Sequence, residues 1–266
     1  MLTKYMKNIR IKRTIIVFSI FIFFIASPLF SESVYSLDLK TDIAILSVSA
    51  AMFLPVLLIS PDPDGVTSKD DINFLDRQFI YPYNKTLDTI STIAVGTTIA
   101  LPLFPVFQNI KDFNFLSTYG VMYIEALLLT TATKDIFKLA VARNRPYTYE
   151  GDIPSGKNDD YYKSFYSGHT SYAFLGATFF TTTFSKEYPD SKWKTPLIVS
   201  GYSVATTVGA LRIASGSHFV TDVLAGAFVG SFYGWLIPNL HIKSKNKDSS
   251  VLVTPVGNSL IFSISS

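Results

Sequence analysis

VLAGAFVGSFYGWLIPNL, residues 223–240, carries no charged side chain and follows directly on Thr221 and Asp222. A bilayer core is spanned by about 20 consecutive apolar residues in a helix, and this run approaches that length. Comparable uncharged runs recur upstream: Ile43 to Pro61, Thr89 to Ile110, Ser164 to Ser185 and Thr195 to Leu211. A further run, Phe113 to Thr133, is interrupted only by Glu125. Every backbone polar group in hydrocarbon must be satisfied within the chain, so six such segments imply an all-α, membrane-embedded helix bundle. A soluble all-α core is the alternative, and it is disfavoured because most of the runs reach spanning length.

Composition agrees with this architecture. The chain has 266 residues, 48% of them hydrophobic and 15% aromatic, which is greasy for a soluble domain of that size. A net charge of +3, spread over short clusters, gives no basic stripe for nucleic acid, and lipid is the better partner. There is no cysteine, so thiol nucleophiles, disulfides and cysteine metal sites are excluded together. Any chemistry rests on His, carboxylates, Lys, Arg or hydroxyls.

The chain divides into three parts. Residues 1–31 hold Lys4, Lys7, Arg10, Lys12 and Arg13 ahead of an uncharged run from Thr14 to Ala26, which reads as a secretory signal or a retained anchor. Residues 32–242 form the helix-bundle domain. Residues 243–266 form a basic tail, alternating apolar and polar around Pro255 and Gly257 as a short hairpin would. Polar loops are expected at Pro61 to Asn84, Arg143 to Tyr166 and Ser185 to Lys194.

Three clusters sit at helix ends. In KLAVARNRP, Lys138 and Arg145 stand before Pro146, and the helix should end there because the residue before Pro is pushed out of the α region. Taken alone, basic residues at such a place are commonly interfacial anchors. In the second cluster, Ser167 is a candidate N-cap, Gly168 allows close backbone approach, and His169 opens the apolar run. In the third, Arg212 is followed by His218 and then Asp222. The last two are four apart and would share a face if Ala214 to Ser217 form the turn into the last helix, so the carboxylate could hold the imidazole tautomer. Of the three histidines, His241 reads as a tail residue beside Lys243, and Glu125 as a structural hydrogen-bonding group inside an apolar helix.

KxxxxxxRP, Ser-Gly-His and RxxxxxHxxxD, in this order at three helix ends, resemble the signature of the type 2 phosphatidic acid phosphatase and vanadium haloperoxidase superfamily. The matching residues run from Lys138 to Asp222. Two positions depart from the usual pattern: Tyr166 stands where the family has Pro before Ser-Gly-His, and Leu211 where it has Ser before the third-motif Arg. The resemblance implies that His218 attacks phosphorus and forms a phosphohistidine, that Asp222 orients its ring, and that His169 protonates the leaving oxygen and later activates water. It implies that Lys138, Arg145 and Arg212, with Ser167 and the Gly168 amide, bind the phosphate oxygens. Three fixed cations and backbone donors can stabilise the charge of phosphoryl transfer without a metal, so no cofactor or metal is expected for the reaction.

The expected activity is hydrolysis of a lipid phosphate monoester or diphosphate in a bacterial-type cell envelope. A vanadium-dependent haloperoxidase and a non-catalytic lipid-phosphate-binding membrane protein are the competing readings. Lysines between Ser185 and Lys194 and after His241 favour a cytoplasmic side opposite the motifs, which points the site to the periplasm or exterior.

Overall fold

The computed structural model describes residues 33–59, 68–109, 112–151, 153–243, 250–256 and 259–265. The N-terminal signal or anchor lies outside the described residues, as do the lysines beyond Lys243. The helices are α1 (Leu39–Leu58), α2 (Phe74–Arg77), α3 (Lys85–Ala100), α4 (Leu103–Gln108), α5 (Phe113–Val141), α6 (Gly168–Glu187), α7 (Lys194–Ala214) and α8 (Val220–Leu240). Short 3-10 turns cover Lys69–Asp71 and Pro146–Tyr149. Strands β1 (Ser250–Val256) and β2 (Ser259–Ser265) pair antiparallel, from Ser250 opposite Ser265 to Val256 opposite Ser259.

The bundle is all-α, and six of its helices are long, at the places where the uncharged runs lie. Among the described residues, four stretches are long and apolar enough to cross a membrane: α1, Phe113–Tyr149 (which contains α5), α7 and α8. Several polar side chains start these helices. Asp38, Asn84 and Asp112 each accept a hydrogen bond from a first-turn amide, covering donors that have no intrahelical partner.

One expected segment is broken. The run Thr89 to Ile110 is two helices, α3 and α4, because Pro102 cannot donate to the preceding turn and its ring crowds that turn's carbonyl. Of the carbonyls left over, that of Ile99 accepts from the Tyr123 hydroxyl at 2.9 Å. The Pro61 to Asn84 loop also differs from expectation, since it carries the Lys69–Asp71 turn and α2 among its described residues.

Helix α6 is the centre of the bundle, packed against α3, α5, α7 and α8. Its Leu175 and Phe179 join Tyr119, Met122 and Ala126 of α5 and Ile237 of α8 in one buried cluster, while Ala173 and Ala177 meet Val95, Ala205 and Val208 in a second. A glycine row lets α8 approach α6 backbone to backbone. A methyl group at Gly226 would fall 2.5 Å from the Ser167 carbonyl oxygen, and one at Gly230 only 2.0 Å from that of Ser171. Outward, α8 presents Leu224, Phe228 and Trp235, and α1 presents Leu39, Ile43, Val48 and Leu58, as lipid-facing surfaces do.

The helices alternate in direction, so the bundle has two ends. At one, Asn84 N–H donates to the Ser215 carbonyl and Ser167 N–H to the Asp222 carbonyl, gathering the starts of α3, α6 and α8 with the end of α7. At the other, the Ser33 hydroxyl meets Glu187 and Ser36 N–H donates to the His241 carbonyl. Lys186, Lys194 and Lys243 belong to this second end.

Candidate active site

Each motif enters the first end from a different element. α5 carries Lys138 and stops at Val141, short of the end expected at Arg145 before Pro146, because Ala142 in the left-handed region (φ 44°) turns the chain out. Arg145 then precedes the Pro146 turn, with its N–H bonded to the Tyr161 carbonyl and only 4% of its surface exposed. Ser167 caps α6 as its sequence suggests, accepting from Thr170 N–H, and His169 lies in the first turn. Arg212 sits in the last turn of α7.

His218 and Asp222 are placed differently from the shared helical face first expected. α8 starts only at Val220, so His218 lies in the connecting turn and reaches back toward a helical Asp222. Gly216 makes this turn possible. It has φ 68°, and a side chain there would strike the Tyr81 carbonyl oxygen at 2.2 Å. The Gly216 carbonyl accepts from Tyr147 N–H, tying the turn to the stretch that follows Arg145.

His218 is 1% exposed. Arg145 Nη1 lies 3.1 Å from His218 Nε2 and donates to the Ser217 carbonyl at 2.8 Å. A guanidinium only donates, so Nε2 is the accepting, unprotonated nitrogen and the ring hydrogen sits on Nδ1. Nδ1 faces Asp222 Oδ2 at 3.5 Å. That separation is too long for a well-formed hydrogen bond, and Nδ1 has no hydrogen-bond partner among the described residues. Burial is the largest influence on the imidazole, followed by the charges of Arg145, Arg212, Lys138 and His169. All of them push its pKa well below the ordinary 6.5. The same interactions mean that Lys138, Arg145, Arg212, His169 and His218 occupy one electrostatic cluster.

Asp222 is fully buried and held from several sides. Its carboxylate accepts from Phe219 N–H at 2.9 Å, from the Ser164 hydroxyl, and from Arg143 Nη1 at 2.7 Å. Arg143 also donates to Asp76 at 2.8 Å, and Asp76 in turn accepts from the N–H and hydroxyl of Thr221. Burial alone would raise the Asp76 carboxyl, but the hydrogen bonds from Thr221 and Arg143 hold it below the usual carboxylate range. The guanidinium stacks over the Phe219 ring at 4.1 Å. Arg143 and Asp76 were not among the sequence candidates. Arg143 lies within the first motif, whereas Asp76 has no local signal at all.

Carboxylates also hold Arg212 and Arg145. Arg212 is paired with Asp88 and bonded to the Ser91 hydroxyl at 3.0 Å, while Arg145 Nη2 lies 2.8 Å from Asp160. Burial would raise the Asp160 carboxyl, and the charges of Arg145 and Lys138 overcome this and lower it. His169 Nε2 is 3.1 Å from the Thr92 hydroxyl, one helical turn beyond Asp88 on α3. Ser167 differs from a simple phosphate donor: its hydroxyl is bonded to that of Thr170 and its N–H to the Asp222 carbonyl. A side chain at Gly168 would fall 2.9 Å from Lys134 Cδ, so Lys134, a further cation missed in sequence, lies across the start of α6. Tyr166, the departure from the family's Pro, is buried and donates to the Thr130 carbonyl at 3.2 Å.

Comparison with known proteins bears on this cluster. Residues 119–246 match the family model described as PAP2 superfamily. The chain is 31% identical over 137 residues to Lipid phosphate phosphatase 1 of Arabidopsis thaliana, covering 43% of this chain and 41% of that protein. It is 41% identical over 73 residues to Lipid A 1-phosphatase of Porphyromonas gingivalis, covering 27% of this chain and 15% of that protein. The chain thus spans less than half the length of these relatives. A transmembrane PAP2 type phosphatidylglycerolphosphate phosphatase from Bacillus subtilis is similar in structure at a TM-score of 0.48 and 19% identity, over 75% of this chain and 94% of that one.

Proposed function

We propose that this chain, which carries a PAP2 superfamily domain, is an integral membrane phosphatase that hydrolyses a lipid phosphate monoester or diphosphate through a phosphohistidine on His218. The observation that carries the reading is the alignment Arg145–His218–Asp222. It leaves the Nε2 lone pair facing the cluster that contains Lys138, Arg145 and Arg212.

Nε2 attacks phosphorus, and the N–P bond forms as the P–O bond to the lipid alcohol breaks. His169 gives its proton to the departing oxygen. Water then attacks the phosphohistidine, its proton passes to His169, and the P–N bond breaks with its electron pair returning to His218. Positive charge on Asp222's partner ring is stabilised at the 3.5 Å contact. Arg145 and Arg212 exchange their carboxylate partners for phosphate oxygens as substrate enters. Lipid as substrate is supported by the apolar helices around the cluster, and by relatives named for lipid phosphates.

The positive-inside rule favours a cytoplasmic location for the end that holds Lys186, Lys194 and Lys243, and hence an outward-facing site in the cell envelope. Because Ser33 lies at that same end, this orientation requires that residues 1–32 do not leave Ser33 outside.

The test is phosphate release by detergent-purified protein from phosphatidic acid, phosphatidylglycerol phosphate, isoprenyl diphosphate and lipid A 1-phosphate. At least one is expected to be cleaved in the presence of chelator, with inhibition by vanadate, which adopts the five-coordinate geometry of transferred phosphorus. Loss of cleavage in chelator while the fold persists, reversed by added metal, would contradict the mechanism.

A further inference from the structure

The end of the bundle away from the histidine pair holds a second cluster of titratable groups, assembled from helices distant in sequence. Asp42 of α1, Glu125 of α5 and His241 just after α8 are 1%, 0% and 2% exposed, and each offers a ligand atom within 4.8 Å of the others. His241 Nε2 lies 2.9 Å from Asp42 Oδ1 and 3.3 Å from Glu125 Oε2. His218 precedes α8 and His241 follows it, so the 21 residues of that helix, about 30 Å of rise, separate this cluster from the phosphatase site.

Glu125 is the group that needs an explanation. Both of its carboxylate oxygens are buried without a hydrogen-bond partner among the described residues. The 3.3 Å approach of Oε2 to His241 Nε2 lacks hydrogen-bond geometry. His241 Nδ1 is bonded to the Ile237 carbonyl at 2.9 Å, and a carbonyl only accepts, so Nδ1 carries a hydrogen. A second hydrogen on Nε2 could serve Asp42 at 2.9 Å and would leave Glu125 unpaired, with a net negative charge sealed among apolar helices.

A cation removes the difficulty. We propose that Asp42, Glu125 and His241 form a binding site for a divalent cation of the zinc or manganese class, which fastens α1 to α5 and to the end of α8. Two carboxylates and a neutral imidazole balance a doubly charged ion. Mixed nitrogen and oxygen donors suit these metals better than magnesium or calcium. Metal–ligand bonds of about 2.0–2.2 Å set neighbouring ligand atoms about 2.9–3.5 Å apart in octahedral or tetrahedral sites, and the two distances from Nε2 fall in that range. The Nδ1–H to carbonyl bond is the outer contact that orients a metal-binding histidine and leaves the Nε2 lone pair free to coordinate. The tether has a structural purpose. α1 fully buries only Asp42, Ile45 and Ser49, with Met52 half-buried against the same α5 cluster as Ile45, and the cation would add a polar link to this apolar contact. This cation is remote from phosphoryl transfer and takes no part in it.

The experiment uses the full chain in detergent, stripped with chelator and then dialysed against Zn²⁺ or Mn²⁺ alone. Elemental analysis is expected to find about one metal per chain, and the thermal midpoint to rise by about 5 °C or more over the stripped protein. Glu125→Gln and His241→Gln should lose the metal and the shift together, while keeping phosphate release at low temperature. Should the variants fail to fold, the wild-type stoichiometry and its metal-dependent midpoint decide. Metal content well below one per chain, or a midpoint that does not move, overturns the proposal and leaves a proton-sharing triad. Equal metal retention by folded variants overturns it as well.

Discussion

Arg145 Nη1 stands 3.1 Å from His218 Nε2, so a residue expected only to bind phosphate also fixes the protonation state of the neighbouring histidine. Its guanidinium is held in turn by the Ser217 and Asp160 carbonyls and the Asp160 carboxylate. A lysine keeps the charge but not the planar fork, and cannot satisfy these partners together. Arg145→Lys is therefore expected to lower kcat by about 100-fold or more, the usual cost of losing one preorganised donor. Steady-state kinetics on the best lipid phosphate reads it; kcat within about threefold of wild type would rule out the tautomer role.

Arg143 is the residue whose importance was hidden in the sequence. It joins Asp76 and Asp222, both 0% exposed on their side chains, while being itself 21% exposed. Removing one partner of a buried ionic network leaves uncompensated charge, at a cost of about 3–5 kcal/mol. Arg143→Ala should lower the denaturation midpoint markedly and reduce kcat, because Asp222 loses the contact that aims it. Combining it with Asp76→Asn should recover part of the stability, since one of the stranded charges is then gone. Strict additivity of the two losses would show that the residues do not act as one network.

The state of His218 has a pH signature. Its folded pKa lies well below 6.5, so between the two values the folded ring binds fewer protons than the unfolded one. Stability therefore rises with pH through this window and falls as pH drops below about 6.5, where the unfolded chain takes up a proton that the folded site refuses. His218→Gln removes this penalty, and its denaturation midpoint should fall less steeply than wild type between about pH 7 and 5. In the wild type, kcat/KM should show no acid limb from the nucleophile near 6.5. Parallel stability curves for the two proteins would mean that the ring is not held neutral.

Most of the helices could be seen in the sequence because length and absence of charge are local properties, and so was the cap at Ser167. The break at Pro102 was also local and was passed over because the run stays apolar across it. What could not be seen depends on approach between distant elements. Nothing near Asp76 or Asp88 in the chain says that they meet Arg143 and Arg212, and nothing near Glu125 points to Asp42 and His241. The motif histidines were identifiable only as a pattern; the contact that orients His218 comes from a turn set by Gly216.

Sidedness gives a separate test. The last helix starts at the site and ends beside Lys243, so a reporter fused after Leu240 should be cytoplasmic if the site faces outward. Paired alkaline phosphatase and fluorescent fusions read the location. A periplasmic Leu240 fusion would reverse the orientation without altering the chemistry.

The division of labour between the two histidines makes the most specific prediction. His218 is buried, has Asp222 on one nitrogen and Arg145 on the other, and presents an unprotonated Nε2. His169 is only half-buried in the first turn of α6, with the Thr92 hydroxyl as its contact, a placement that suits passing protons between leaving group and water. The two removals should therefore fail differently. His218→Ala should abolish turnover and any covalent intermediate. His169→Asn should slow both steps, yet a substrate whose leaving group needs no protonation should still phosphorylate His218, and the trapped intermediate should accumulate because water is no longer activated. Rapid quench with labelled substrate, then peptide mapping under alkaline conditions that preserve phosphohistidine, measures both. Label on the peptide containing His169, or undiminished turnover by His218→Ala, would exchange the roles.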